Sequence, residues 1–342
     1  MSGLSRGASM SGDTTRVLPA RMTLAGLILA LLVLGLVGLS IGSSGWQSPW
    51  HASTDAGLSQ IVWEIRAPRT LGAMLVGALL GLGGAVAQGL FRNPLAEPYL
   101  LGSSSGAALG MALMLSFGMP DALISSTVGR MGLTGVAFLG AVSGVSLTLM
   151  LARGAAHTMR LLLGGVVVGV VLGALTQLLM VWSAPAWRIM QAFMLGHTAL
   201  LSWQACGVMA AVLCLTLPVA MALSRVLDAL SLGEDVARTL GIPLGLTRAV
   251  LVGVLALSTG AAVAQAGLVA FVGLVAPHLV RSRAGARHGA LLSLSTLMGA
   301  VLLAAADVLS RLVLAPQELP VGVLTAVLGG TYLLWLLHRR RA

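Results

Sequence analysis

The chain alternates long apolar runs with short polar punctuation. About ten apolar stretches can be marked, at roughly 22–42, 69–90, 99–118, 131–152, 161–182, 204–223, 247–265, 268–280, 290–312 and 321–338. A helix needs about 20 mostly apolar residues to cross the hydrocarbon of a bilayer, so all but the eighth stretch are of membrane-spanning length or near it. The first run, "LAGLILALLVLGLVGLSIG", follows Arg6, Arg16 and Arg21. A basic lead before an apolar run resembles a signal peptide. This run is longer than a usual signal core and no A-x-A site follows it, so it is taken as an uncleaved first span.

Composition points the same way. Hydrophobic residues make up 57% of the 342 positions, charged residues 9%, and the mean hydropathy is +0.98. Soluble domains carry about 25% charged residues, so one polytopic membrane domain is the better reading than two soluble ones. The domain expected is 22–338, with cytoplasmic tails at 1–21 and 339–342.

There is no lysine; all twenty basic residues are arginine, against ten acids. A P-loop needs its lysine to reach the β- and γ-phosphates, so this chain cannot hydrolyse ATP by that route. The arginines stand singly between apolar spans, which argues against nucleic-acid binding. Cys206 and Cys214 lie eight apart in one expected helix, about 12 Å along its axis and too far for a disulfide. None of the six histidines has metal-ligand spacing. "GSSSG" (102–106) matches the form of a nucleophile elbow, but its flanks are turn and apolar helix rather than strand and helix. No catalytic residue, metal site or resident cofactor is expected.

With an inside N-terminus and ten spans, both termini face the cytoplasm. Fifteen arginines then fall in inner loops and five, Arg66, Arg69, Arg130, Arg188 and Arg311, in outer ones. That excess fits the positive-inside rule and leaves Arg66 and Arg69, in "WEIRAPR", on the side the rule disfavours. Asp307 is the carboxylate inside an apolar run, four residues before Arg311, the spacing of a helical ion pair.

"GGAVAQ" (83–88) and "GAAVAQ" (260–265) differ at one position and are expected at opposite ends of their helices, as an inverted repeat requires. Irregular sequence follows the first, "FRNPLAEPYLLGSSSG" (91–106). Pro94 and Pro98 break helix there, Ser103 suits an N-cap, and the segment is either a tight cytoplasmic turn or a functional break. The largest inner loop, "LDALSLGEDVARTLGIPLG" (227–245), is too polar to span. Leu232, Val236 and Leu240 make one apolar stripe, Glu234 precedes Arg238 by four, and Gly241 with Pro243 supplies a stop. A short amphipathic helix on the inner surface is predicted, packing on the membrane or docking a soluble partner. Two acids beside one arginine favour the partner.

Taken as an ordered set, "RAPRTLGAMLVGALLGLGGAVAQGLFRNPLAEPYLLGSSSGAALG", "LGEDVARTLG", "GLVAFVGLVAPHLVR" and "ADVLSRLVLAPQELPVGVLTAVLGG" resemble the FecCD-type permeases of binding-protein-dependent ABC importers over about 60–340. The resemblance implies an all-α, inverted-repeat type II importer fold of about ten spans. It implies uptake of a ferric siderophore, haem or cobalamin into the cytoplasm by ATP-driven alternating access, from the inner membrane, by a transport subunit and not an enzyme. The implied partners are two copies of an ATP-binding subunit that holds ATP and Mg, a periplasmic substrate-binding protein, a second permease copy and the surrounding lipid. Arg66, Arg69 and Arg311 would receive acidic residues of the binding protein. Gly233, Glu234, Asp235, Ala237, Arg238, Leu240 and Gly241 would couple to the ATPase. The path is expected along the second and fifth spans and residues near 182–203, with Gln88, Gln177, Gln191 and His197 as its polar groups, since amides accept a bulky chelate without the desolvation cost of a charge. "MLGHTALLSW" (194–203) carries His and Thr where many relatives have Gly-Ser, which leaves the cargo open. The competing classes are an ion-coupled secondary transporter, which needs membrane-buried ion sites, and an intramembrane hydrolase, for which no site assembles.

Overall fold

The structure, a computed structural model, describes residues 20–42, 45–47, 55–117, 126–154, 158–182, 186–284 and 287–339. Both tails beyond these limits, His51 and His157 lie outside the described residues. Helix α1 (Ala20–Ser40) leads into a two-residue hairpin, β1 (Ile41–Gly42) against β2 (Gly45–Trp46), in antiparallel register Ile41↔Trp46. Helix α2 (Ala56–Ile61) runs through a π-helical turn at Val62–Arg66 into α3 (Ala67–Phe91). There follow α4 (Ser103–Ser116), α5 (Thr127–Leu151), α6 (Thr158–Trp182), α7 (Ala186–Leu195), α8 (Trp203–Ala222), α9 (Ser224–Ser231), α10 (Glu234–Thr239), α11 (Leu244–Ala266), α12 (Val272–Ala284), α13 (His288–Leu312) and α14 (Val321–Arg339).

Each of the ten predicted stretches is a helix. Seven are long and apolar enough to cross a membrane among the described residues; α4, α12 and α14 are the shorter remainder. Pro68 comes just after the π-helical turn, a local widening of the helix of the kind that accompanies a residue lacking its N–H. Ser103 is not the cap of α4 but its first residue, fully buried; Gly102, at φ +83°, holds the cap position. The positive φ favours glycine there, and a Cβ would stand a tight 3.2 Å from Val168 on α6.

Small residues set how tightly the helices meet. A Cβ at Gly77 would lie 2.2 Å from the Gly299 carbonyl oxygen, and one at Gly106 2.1 Å from that of Gly140. Bare backbone at these points lets α3 approach α13, and α4 approach α5, to direct main-chain contact. The result is a sharp contrast in burial: the apolar stretch of α3 is 83% enclosed, those of α1 and α6 only 17% and 22%. Helix α3 is therefore the axis of the domain, while α1 and α6 turn apolar faces outward.

The ends of α3 and α11 fix the orientation of the repeat. Arg92, just after α3, and Arg248, in the first turns of α11, both reach Glu234, so the two helices are antiparallel and their matching six-residue copies lie at opposite ends. The breaks after them interlock. The Tyr99 hydroxyl donates to the Val269 carbonyl at 3.1 Å and the Phe271 N–H donates to Glu97 at 3.3 Å. Segment 91–106 is thus a contact between the two halves and not a free turn. Phe271 holds φ +67°, a costly conformation for a bulky residue, and Gly329 leaves the room for its ring: a Cβ there would meet Phe271 at 2.4 Å.

Candidate functional site

At one end of the bundle, Asp307 on α13 gathers three donors. Arg69 Nε donates to it at 2.9 Å, the Thr198 hydroxyl at 2.6 Å, and Arg311, one helical turn on, through its own guanidinium. One nitrogen of Arg69 also reaches both Glu318 oxygens, at 2.9 and 2.8 Å. Arg311 donates to the carbonyls of Gly38 (2.7 Å) and Ile41 (3.0 Å) and to Thr70 (3.2 Å). Arg66 donates to the Leu39 and Ser40 carbonyls, each at 3.2 Å, and to Gln47. The expected pair Asp307–Arg311 is present, as is the grouping of Arg66, Arg69 and Arg311. All three point into the protein. The three are 4%, 6% and 1% exposed, and their forks are spent on the chain's own oxygens. Burying three guanidinium groups is costly without such partners, so the network ties α1, the hairpin, α3 and α13 into one end. Glu64, two residues before Arg66, is exposed and takes no part.

At the opposite end lies Glu234, the first residue of α10. Gly233 before it has φ +126° and ψ 154°, a region open essentially to glycine alone, and this splits the predicted amphipathic helix into α9 and α10. The Glu234 carboxylate takes Arg248 Nη2 at 2.6 Å, the Thr158 hydroxyl at 3.2 Å, and Arg92 and Arg238 at 3.6 Å each. Burial alone would raise its pKa, yet hydrogen bonding and charge from Arg248, then Thr158 and Arg92, hold it below the usual carboxylate range. Glu234 therefore faces the chain's own helices. The Arg248 side chain is 1% exposed and needs a counter-charge, which is why the acid turns inward. Ala237 is buried as well, while Leu232, Val236 and Leu240 are 71%, 40% and 64% exposed and Asp235 stands fully out. Gly241, at φ +74°, ends the helix as expected. Beside it, Asp228 on α9 accepts from the His288 backbone (3.0 Å) and pairs with its ring Nδ1 (2.7 Å). Burial would raise that acid too, but the His288 contacts lower it.

The four path residues do not converge. Gln88 is buried and donates to the Leu274 carbonyl at 3.1 Å, so it locks α3 to α12 instead of lining a path. Gln177 and Gln191 are exposed on α6 and α7. His197 is half-buried and borders a cavity of about 450 Å³ with Met111, Phe138, Phe193, Gln204 and Gln265. Gln265 was readable, because it is the counterpart of Gln88 in the repeat. Thr198, Glu318, Arg248 and Arg92 carry no local signal; their partners lie 14 to 249 residues distant and meet them only in the fold. Cys206 and Cys214 are free thiols, the first buried and the second exposed.

The chain matches the FecCD transport family over residues 23–339. It is 38% identical over 334 residues to the hemin transport system permease protein HmuU of Yersinia pestis, covering 95% of this chain and 98% of that one. It is 40% identical over 325 residues to the vitamin B12 import system permease protein BtuC of Klebsiella pneumoniae subsp. pneumoniae, covering 94% and 95%. Among solved structures it is similar to a metal-chelate type ABC transporter in an inward-facing conformation, with TM-score 0.83 and 29% identity over 93% of this chain and 99% of that one.

Proposed function

This chain belongs to the FecCD transport family, and from that premise we propose that it is the permease subunit of an ABC importer that carries a metal chelate of the haem or cobalamin kind into the cytoplasm. It is a transport subunit, not an enzyme, and a multi-pass membrane protein. The observation that carries the proposal is α10: a short surface helix on which Val236, with Leu232 before it and Leu240 at its end, is exposed, on a chain that has no lysine for a P-loop. That stripe suits docking by a separate ATP-binding subunit, which would hold ATP and Mg and supply the energy for alternating access. This chain itself would bind no cofactor.

The domain spans 22–338 in the inner membrane, with tails 1–21 and 339–342 in the cytoplasm. Two ATPase copies and a second permease copy complete the assembly, the latter against the outward apolar face of α6, where Val167, Val170 and Leu178 are over half exposed. A periplasmic binding protein docks at the Asp307 end. Its carboxylates meet Arg66, Arg69 and Arg311 by exchange with internal partners, among them Glu318, 27% exposed at its side chain. The wall near 182–203, with Gln177, Gln191 and His197, faces the cargo.

The test is uptake into proteoliposomes holding permease, ATPase and binding protein, with haem, cobalamin and a ferric siderophore each as cargo. ATP-dependent uptake of one of them is the expected result. Uptake driven by a proton or sodium gradient without ATP would overturn it in favour of a secondary transporter.

A further inference from the structure

We propose that Glu234 is a positioning residue that carries movement of the surface helix α10 into the transmembrane helices, and is not itself a docking contact; this rests on the ATPase-partner reading above. One carboxylate touches the start of α11 through Arg248, the start of α6 through Thr158 and the end of α3 through Arg92. Two of those helices, α3 and α11, are the ones that run into the interlocked breaks at Tyr99–Val269 and Glu97–Phe271. A displacement of α10 therefore has a direct mechanical route to the contact between the two halves of the domain.

The rest of α10 is lightly held. It is six residues long, lies between Gly233 and Gly241, both at positive φ, and anchors a single buried side chain, Ala237. Its opposite face is the exposed stripe. Glu234 is thus its ionic tether, and the strengths within the tether differ. The 2.6 Å contact to buried Arg248 is a charge-assisted hydrogen bond. The two 3.6 Å contacts come from side chains 42% and 55% exposed, where an ion pair is worth little. One acid facing three guanidinium groups has more donors than it can hold closely. Arg238 travels on α10 with Glu234, so Arg92 is the contact that changes as α10 shifts while Arg248 stays engaged.

The experiment uses the complete complex, permease with ATPase and binding protein, in proteoliposomes. Glu234→Gln removes the charge and keeps the shape. The ATPase subunit is expected to co-purify as before with basal ATP hydrolysis retained, while cargo moved per ATP falls about tenfold, a coupling effect of ordinary size. The charge-swapped Glu234→Arg/Arg248→Glu pair is expected to recover part of that ratio. Loss of the ATPase subunit from Glu234→Gln complexes would make Glu234 a docking residue and overturn the proposal, as would an unchanged ratio. If Glu234→Gln does not accumulate, the more exposed Arg92→Gln decides: a reduced ratio with normal assembly supports the tether, an unchanged one overturns it. A wild-type complex that hydrolyses no ATP would instead sink the importer reading.

Discussion

The two ends of the molecule use the same chemistry to opposite effect. Each has an acid four residues before an arginine on a helix, Asp307–Arg311 at one end and Glu234–Arg238 at the other. At the first end the pair is closed: Asp307 and Arg311 are both 1% exposed, and Arg69 and Thr198 complete the shell. At the second the spaced partner stands at 3.6 Å and half exposed, because Arg248 from another helix has taken the carboxylate. Spacing on a helix predicts who is near. Burial decides who is bound. A group deep in the protein must find full partners or cost several kcal/mol, so Arg248 outcompetes Arg238, which has water as an alternative. The closed end reads as a fixed support and the open end as a joint.

Four measurements would break or sharpen that contrast. The largest effect is expected at Asp307. Asp307→Ala leaves Arg69 and Arg311 buried without their shared anion and should cost about 3–5 kcal/mol, the range for breaking a buried pair, read as thermal unfolding in detergent. Asp235→Ala, at the fully exposed acid of the open end, should cost under about 0.5 kcal/mol. Equal losses would abolish the distinction.

Glu318→Gln comes next. It removes the charge that takes two short contacts from Arg69, yet Glu318 is 27% exposed, so about 1.5 kcal/mol is expected, at the low end for hydrogen bonds to charged groups. If docking proceeds by exchange of this partner, the same variant should bind the periplasmic protein more tightly. Weaker binding would mean that Glu318 itself belongs to the interface.

At the open end, Leu240→Asp should weaken association with the ATPase subunit about tenfold, or about 1.4 kcal/mol, with thermal stability unchanged because the side chain is 64% exposed. A stability loss without an association loss would place the stripe on the membrane.

The smallest effect is that of pH. The Glu234 carboxyl is lowered from its ordinary value of 4.5 in the folded chain. Its contribution is therefore fully present above 4.5 and is lost as pH falls through the depressed folded value. The stability difference between wild type and Glu234→Gln should stay level from about pH 8 to about pH 5 and shrink only in more acid solution. A decline between pH 8 and pH 6 would mean that another titrating group controls the joint.

Much of this architecture was legible in the chain. Ten apolar runs became ten helices within a few residues of their expected limits, because span length is set by bilayer thickness and by the need to satisfy every backbone bond internally. The two six-residue copies foretold the antiparallel α3 and α11, and the stripe on 232–240 foretold an exposed face. All of these are local properties, written in residues that are neighbours along one helix. The pairings were different. Arg69 with Glu318, Arg248 with Glu234 and Gln88 with the Leu274 carbonyl join segments 14 to 249 residues apart. Sequence placed the charges at the correct ends and named the amide, but it had them facing partners and cargo. Only close packing, of α3 on α13 at Gly77 and Gly299 and on α12 at Gly84 and Gly273, brings the helices near enough to bury groups such as Arg69 and Gln88, and once buried, a charge or amide takes the nearest oxygen its own chain can offer, since an unpaired polar group there is costly.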